Sequence, residues 1–328
     1  MDIKLKVRRQ NPEADDKPFW KDYAVEVPEY YTLLDALLKV REEVDETLAL
    51  RCSCRSHICG SCGMRVNGHA ALACKTKLSD LDQETVTVEP MGNMPVIRDL
   101  VVDLEPFWNK LYSIKPYLQP ATDPPEREYV VPNETMFHLD GVVNCIMCGA
   151  CVSDCESLSV NPIFIGPTAF AKEYRFVLDP RDAADRERLS QMNGPGGVWD
   201  CTHCFQCVEV CPKDVAPMDR IMAMRRMMMD MGMEQHNGAK RANAFMDLVG
   251  TYGRLDETRL LMRSVSGLGE LMSFSKVGFR ALWKGKLPPL KPHRIAGAPA
   301  VRRILERARN QRPRRFKVHQ AQEEGVRA

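Results

Sequence analysis

Apolar and basic residues alternate from the start of the chain. Ile3, Leu5 and Val7 are separated by Lys4 and Lys6, a period of two that predicts a half-buried strand over residues 3–9. A polar turn containing Pro12 leads into Phe-Trp-Lys-Asp-Tyr-Ala-Val-Glu-Val, a second strand over 19–27 that Pro28 stops, so the two form a hairpin. Thr32 with Asp35 three residues on comes close to a capping box. Leu34, Leu37, Leu38 and Val44 then share one stripe, which predicts an amphipathic helix over 33–46. A hairpin followed by a helix packed on it is the start of a β-grasp sheet. Thr-Val-Thr-Val-Glu at 85–89 reads as a strand that closes this part. The apolar spacing within 95–118 predicts a helix broken near Pro106 and stopped by Pro116. Pro120, Pro124, Pro125 and Pro132 mark 119–133 as a linker. Helices are expected over about 217–231, through 236–279, and over 299–311 ahead of a disordered end.

The chain has 328 residues, enough for two or three domains, and 44% of them are apolar. No window of about 18 apolar residues appears, so no membrane span is expected. The N-terminal segment reads as a strand and not as a signal peptide, because no apolar run follows its basic residues. Arg8-Arg9 fails as a twin-arginine export signal on the same ground. Net charge is near zero but uneven: residues 281–328 carry 13 Lys/Arg against 3 Asp/Glu, leaving 33 against 41 elsewhere. A basic tail of this kind contacts an acidic partner, nucleic acid or anionic lipid, or is simply solvated.

Thirteen cysteines change the picture, because twelve fall into three groups of four. A long chain with clustered cysteines points to metal or cluster ligation and not to a disulfide scaffold. Cys54-x4-Cys59-x2-Cys62 followed by Cys74 has the plant-type [2Fe–2S] spacing. Gly60 and Gly63 permit the tight wrapping such a loop needs. Cys52 lies outside the spacing and reads as a spare, buried thiol. Cys145-x2-Cys148-x2-Cys151-x3-Cys155 and Cys201-x2-Cys204-x2-Cys207-x3-Cys211-Pro212 repeat the ligand run of bacterial ferredoxins. In that arrangement three ligands cap one cube and the fourth faces away. So Cys145, Cys148, Cys151 and Cys211 should hold one [4Fe–4S] cluster, and Cys155, Cys201, Cys204 and Cys207 the other centre. A zinc-stabilised interaction or nucleic-acid module is the competing class, but the four-then-two-residue gap of the first group is awkward for zinc pairs, and the three-residue gap that ends both later runs argues against it. The methionines at 222, 224, 227, 228, 229 and 231 read as gap-filling contacts and not as a copper or haem motif. His57, His69, His138 and His203 read as structural. There is no Gly-rich nucleotide loop, HExxH or Ser-His-Asp arrangement, so no catalytic residue is expected on this chain.

With these groups in view, residues 1 to about 230 resemble the iron–sulfur subunit of succinate dehydrogenase/fumarate reductase. The resemblance rests on the cysteine order, on Cys-Arg-Ser-His-Ile-Cys-Gly-Ser-Cys-Gly from Cys54, on Pro95-Val-Ile-Arg-Asp-Leu-Val-Val-Asp with Ile114-Lys-Pro, and on Cys207-Val-Glu-Val-Cys-Pro-Lys. It implies an α+β chain: a β-grasp plant-type ferredoxin domain over 1–105, a connecting helix and linker over 106–133, an all-α two-cluster ferredoxin domain over 134–235, and a helical, basic, partly disordered extension over 236–328. It further implies an electron-transfer subunit of an oxidoreductase. Electrons would come from the FAD of a flavoprotein subunit, cross the [2Fe–2S], the [4Fe–4S] and a third centre, and reach quinone at a membrane anchor. The chain would sit in the cytoplasm, peripheral on the inner face of the membrane, with no nucleic acid bound. In most members the third centre is [3Fe–4S], and a non-cysteine residue stands where Cys204 stands, so a second [4Fe–4S] is expected here. Val160 stands where the family places a quinone-site Trp, Thr202 where a His is common, and Glu156 where a Pro is frequent. These departures, with the extension, also resemble iron–sulfur subunits paired with a heterodisulfide-reductase-like, Cys-rich partner.

Overall fold

The alternation at the N-terminus is realised as β1 (Asp2–Arg9), antiparallel to β2 (Phe19–Glu26), with Ile3 opposite Val25 and Leu5 opposite Tyr23. In this computed structural model the described residues are 1–14, 17–121, 125–131, 133–264, 275–286 and 293–310. β5 (Thr85–Glu89) lies parallel to β1, and a hairpin of β3 (Gly63–Val66) and β4 (His69–Leu72) completes a sheet in the order β2-β1-β5-β3-β4. Parallel β1 and β5 put Leu5 beside Val86 and Val7 beside Val88, and all four are buried.

Against this face packs α1 (Leu33–Lys39). Thr32 caps it as expected: its hydroxyl accepts from the Asp35 amide, and Asp35 accepts from the Thr32 amide. The helix buries Leu33, Leu34, Ala36, Leu37 and Leu38, each leucine contributing about 1.5–3 kcal/mol of transfer free energy. Its continuation over Val40–Val44 loosens into a wider turn, so Val44 ends exposed instead of completing the stripe.

The helix expected from residue 95 is a correction. Residues 96–102 form a short pair, β6 (Val96–Arg98) and β7 (Val101–Val102), and α2 begins only at Glu105–Ser113 with Pro106 in its first turn. The turn between the strands has Asp99 at φ 48°. The Asp99 carboxylate accepts from the amides of Gln10 and Ala49 and pairs with the Arg9 guanidinium. Those long-range bonds override the helical spacing. Pro106 therefore starts a helix where its missing N–H costs nothing, and does not break one.

Beyond the linker the chain is helical: α3 (Asn133–Leu139), α4 (Ala150–Ser153), α5 (Glu156–Val160), α6 (Pro167–Leu178), α7 (Asp185–Met192), α8 (Gln206–Glu209) and α9 (Pro217–Asp230). Phe164 and Phe170 fill the centre, fully buried. Arg188 on α7 holds Asp182 through two hydrogen bonds, meets Glu173 of α6, and donates to the carbonyls of Ile114, Lys115 and Tyr117. This ties the residues after α2 to the helical part. Of the methionine run, Met224 and Met228 are buried, Met222, Met227 and Met229 half-buried, and Met231 exposed.

The chain divides into two compact units, 1–224 and 225–328. In the second, α10 (Asn237–Tyr252) packs on α11 (Glu257–Ser264) through Ala244, Leu248 and Leu260. It also packs on α13 (Ala298–Asn310), where Leu305 meets Gly250. Between α11 and α13 lies α12 (Ser275–Trp283). The expected disordered end, 311–328, and the side chain of His138 lie outside the described residues.

Candidate metal centre

Two cysteine runs share one backbone. In the first, Met147 and Gly149 have φ of 55° and 80°; at the matching places of the second, His203 and Phe205 have 60° and 65°. Each left-handed pair turns the chain around its cysteines, and each is followed by a single helical turn, α4 or α8. A non-glycine residue in this region costs about 1–2 kcal/mol, so three of these four positions carry strain that the surroundings must hold.

The runs interleave. Burial, with the nearby sulfurs of Cys145 and Cys211 adding to it, raises the pKa of Cys148 to about 11. Burial also drives Cys151 well above the usual thiol range, with Cys148 and Cys145 beside it. Cys145, Cys148, Cys151 and Cys211 line one partly open cavity, with Thr168 and Val215 among its walls. The second group is Cys155, Cys201, Cys204 and Cys207. Burial lifts Cys207 to about 12, with Cys201, Cys155 and Cys204 adding to it, and lifts Cys155 to about 11 beside Cys204 and Cys201. The fourth cysteine of each run thus faces the first three of the other.

Backbone amides point at these sulfurs. Cys155 precedes α5, and the amides of Ser157 and Leu158 reach it; Val215 donates to Cys211. The Thr168 hydroxyl lies 2.9 Å from Cys151 Sγ. Buried thiols resist ionisation, so ligation by iron, which takes them as thiolates, releases protons. Among the described residues no group of three or more Cys, His, Asp or Glu is arranged around a single metal ion. The Cys145 set rings a space instead of converging on a point. A cubane cluster fits such a donor set.

The 54–62 loop is built differently. Arg55, His57 and Gly60 have positive φ, and Cys54 Sγ accepts from the amides of Ser56, Ile58 and Cys59 at 3.3–3.4 Å. A hydrogen bond from Ser61 leads the effects that hold Cys59 down to about 6, whereas burial lifts Cys62, beside Cys74, to about 12. The loop carries the sulfurs at the mouth of the β3–β4 hairpin. Cys52 is half-buried against the β-grasp core.

Residues 4–109 match the 2Fe-2S iron-sulfur cluster binding domain, and residues 141–215 match the 4Fe-4S dicluster domain. The chain is 40% identical over 226 residues to the succinate dehydrogenase iron-sulfur subunit of Coxiella burnetii, covering 68% of this chain and 95% of that one. It belongs to the succinate dehydrogenase/fumarate reductase iron–sulfur subunits. A second member, the 8-methylmenaquinol:fumarate reductase iron-sulfur subunit of Wolinella succinogenes, is 34% identical over 291 residues, 85% of this chain and 90% of its own. That share takes the alignment well into residues 236–328. A chain in the Mycobacterium smegmatis Sdh1 complex in the apo form shares the fold, with TM-score 0.65, 29% identity, and coverage of 71% of this chain and 98% of that one. The chain is an electron-transfer subunit of an oxidoreductase complex, with an N-terminal 2Fe-2S domain followed by a 4Fe-4S domain.

In this iron–sulfur subunit the ferredoxin parts meet at their cysteine loops. A Cβ on Gly60 would lie 2.7 Å from Cys148 Cβ, and one on Gly92 would lie 2.6 Å from the Ser153 carbonyl. Asn93 Nδ2 donates to the carbonyls of Val152, Ser153 and Cys155. Buried Asp154 accepts from the Ala70 amide at 2.8 Å and pairs with Arg65. Lys110 donates to the carbonyls of Pro162 and Phe164, and burial lowers its pKa while nearby Cys155 opposes that. Sequence reasoning missed Asn93, Asp154, Lys110 and Thr168. No spacing rule links an asparagine to carbonyls 60 residues away. Val160 is exposed at the end of α5, and the Thr202 amide donates to Ser157 Oγ. No helix of the described residues is long and apolar enough to cross a membrane.

Proposed function

We propose that this chain relays electrons between the FAD of a flavoprotein subunit and quinone. The path runs through [2Fe–2S] on Cys54, Cys59, Cys62 and Cys74, then [4Fe–4S] on Cys145, Cys148, Cys151 and Cys211. The third centre lies on Cys155, Cys201, Cys204 and Cys207. The observation that carries this reading is the interleaving of the two runs into two four-sulfur groups, with Gly60 against Cys148 joining them to the first loop. When bound, the clusters supply one-electron carriers. The residues of this chain hold them, keep water from the buried thiols, and aim amides and the Thr168 hydroxyl at the sulfurs. The third centre is a [4Fe–4S] cluster, because Cys204 joins Cys155, Cys201 and Cys207 as a fourth thiol. The chain is peripheral on the inner face of the membrane. Purification of the native complex tests the relay: a flavoprotein with covalent FAD should co-purify, and succinate should bleach the iron–sulfur absorption. A preparation without flavin whose absorption succinate leaves unchanged contradicts it.

A second reading concerns the exit partner. A Cys-rich, heterodisulfide-reductase-like subunit replaces the haem-containing anchor in this reading. It is favoured by exposed Val160 where the family resemblance places an aromatic residue. A multi-span haem subunit in the purified complex would exclude it.

A further inference from the structure

Three large apolar side chains on α12 are open to water. Phe279 is 70% exposed, Leu282 58% and Trp283 85%. The spacing i, i+3, i+4 places them on one side of the helix. Arg280 and Lys284, one turn apart, flank that side, and Lys286 follows. No acidic residue occurs from 275 to 286. A contiguous apolar face of this kind marks an interaction surface. The charge indicates what covers it. A run with cations alone around Phe, Leu and Trp matches an anionic headgroup layer: the rings and Leu282 enter the acyl boundary, and the basic side chains reach up to the phosphates. Nine residues cannot span a bilayer, so the helix lies in the interface plane.

We propose that α12 is a membrane-interfacial helix that docks on anionic lipid, so that this chain touches the bilayer itself and not only through an anchor subunit. The inference stands apart from the relay. It concerns a face with no cysteine, and lipid binding is read without turnover.

The test uses the full chain with clusters intact, judged by its visible absorption. Mixed phosphatidylcholine/phosphatidylglycerol vesicles should sediment the protein, and brominated acyl chains should quench Trp283 fluorescence. Phe279→Ser/Leu282→Ser/Trp283→Ser combined should abolish sedimentation while leaving the visible absorption unchanged. Arg280→Gln/Lys284→Gln/Lys286→Gln should weaken binding roughly 100-fold, from the usual value of a cation at an anionic surface. Equal binding to pure phosphatidylcholine, undiminished binding by the apolar triple variant, or no binding to anionic vesicles overturns the proposal. So does a triple variant that fails to assemble with the flavoprotein while the wild-type chain ignores vesicles, because the face is then a protein interface.

Discussion

Gly60→Ala probes the point where the first cysteine loop meets the second. The residue has φ +75°, which costs an L side chain about 1–2 kcal/mol. The new methyl would stand 2.7 Å from Cys148 Cβ and 2.8 Å from Cys148 Cα, some 0.7 Å inside the 3.4 Å of an ordinary contact. Neither neighbour is the end of a flexible side chain, so the loops must part. Overpacking of that kind adds about 1–3 kcal/mol, for a total near 2–5 kcal/mol. Gly68→Ala is the control: φ is +87° but no atom lies within 4 Å, so only the conformational part remains. Urea unfolding of the holoprotein, followed by its visible absorption, should show Gly60→Ala less stable than Gly68→Ala by the overpacking share. Electron passage from the first centre to the middle one should slow in Gly60→Ala alone, because tunnelling falls steeply with separation. Equal destabilisation by the two variants, with electron passage unchanged, would refute a direct contact between the loops.

Thr168→Val removes the hydroxyl at Cys151 Sγ. A hydrogen bond to a charged sulfur is worth about 1.5–3 kcal/mol, so the middle centre's potential should fall by tens of millivolts, to a ceiling of about 130 mV for one electron, in an EPR titration; an unchanged potential contradicts the role. Burial lifts Glu173 from 4.5 to about 7 against the opposing charge of Arg188, so its carboxyl is protonated in the fold before it is in the unfolded chain. Its stability contribution is full below about pH 4.5 and is lost as pH rises toward 7, by roughly 3 kcal/mol. Glu173→Gln should flatten the pH dependence of Tm across that window, and a variant with the wild-type slope would show the group is not the source. Asn93→Ala strands the carbonyls of Val152, Ser153 and Cys155 and should cost about 1–3 kcal/mol in urea unfolding, with the EPR line of the third centre broadened; wild-type behaviour in both would show the bonds are dispensable.

Period and capping made β1, β2, β5 and α1 legible, because each buries one face against its neighbours in sequence. The β3–β4 hairpin carried a local signal that went unread: Asn67-Gly68, with φ of 50° and 87°, is the two-residue turn such strands favour. The β6–β7 pair carried a misleading one. Val96, Ile97, Val101 and Val102 match helical spacing, and only the bonds of Asp99 to Gln10, Ala49 and Arg9 settle the strand form. At the site, cysteine spacing exposed the three groups. The residues that bind the ferredoxin parts together act across gaps of 52 to 84 positions and leave no periodic trace. His57, expected to be structural, holds a buried Nε2 without a hydrogen-bond partner, and Lys75 and Lys213 add to burial in lowering its pKa.

The proposed relay has three centres on three cysteine sets, the second and third of them interleaved and the last a cubane completed by Cys204. An EPR-monitored redox titration of the undamaged native complex tests it directly. Expected are one [2Fe–2S] signal and two [4Fe–4S] signals on reduction, no three-iron signal in the oxidised protein, and a Cys204→Ser variant that alters the third centre alone. A strong [3Fe–4S] signal in the oxidised native complex, unchanged by Cys204→Ser, would contradict it.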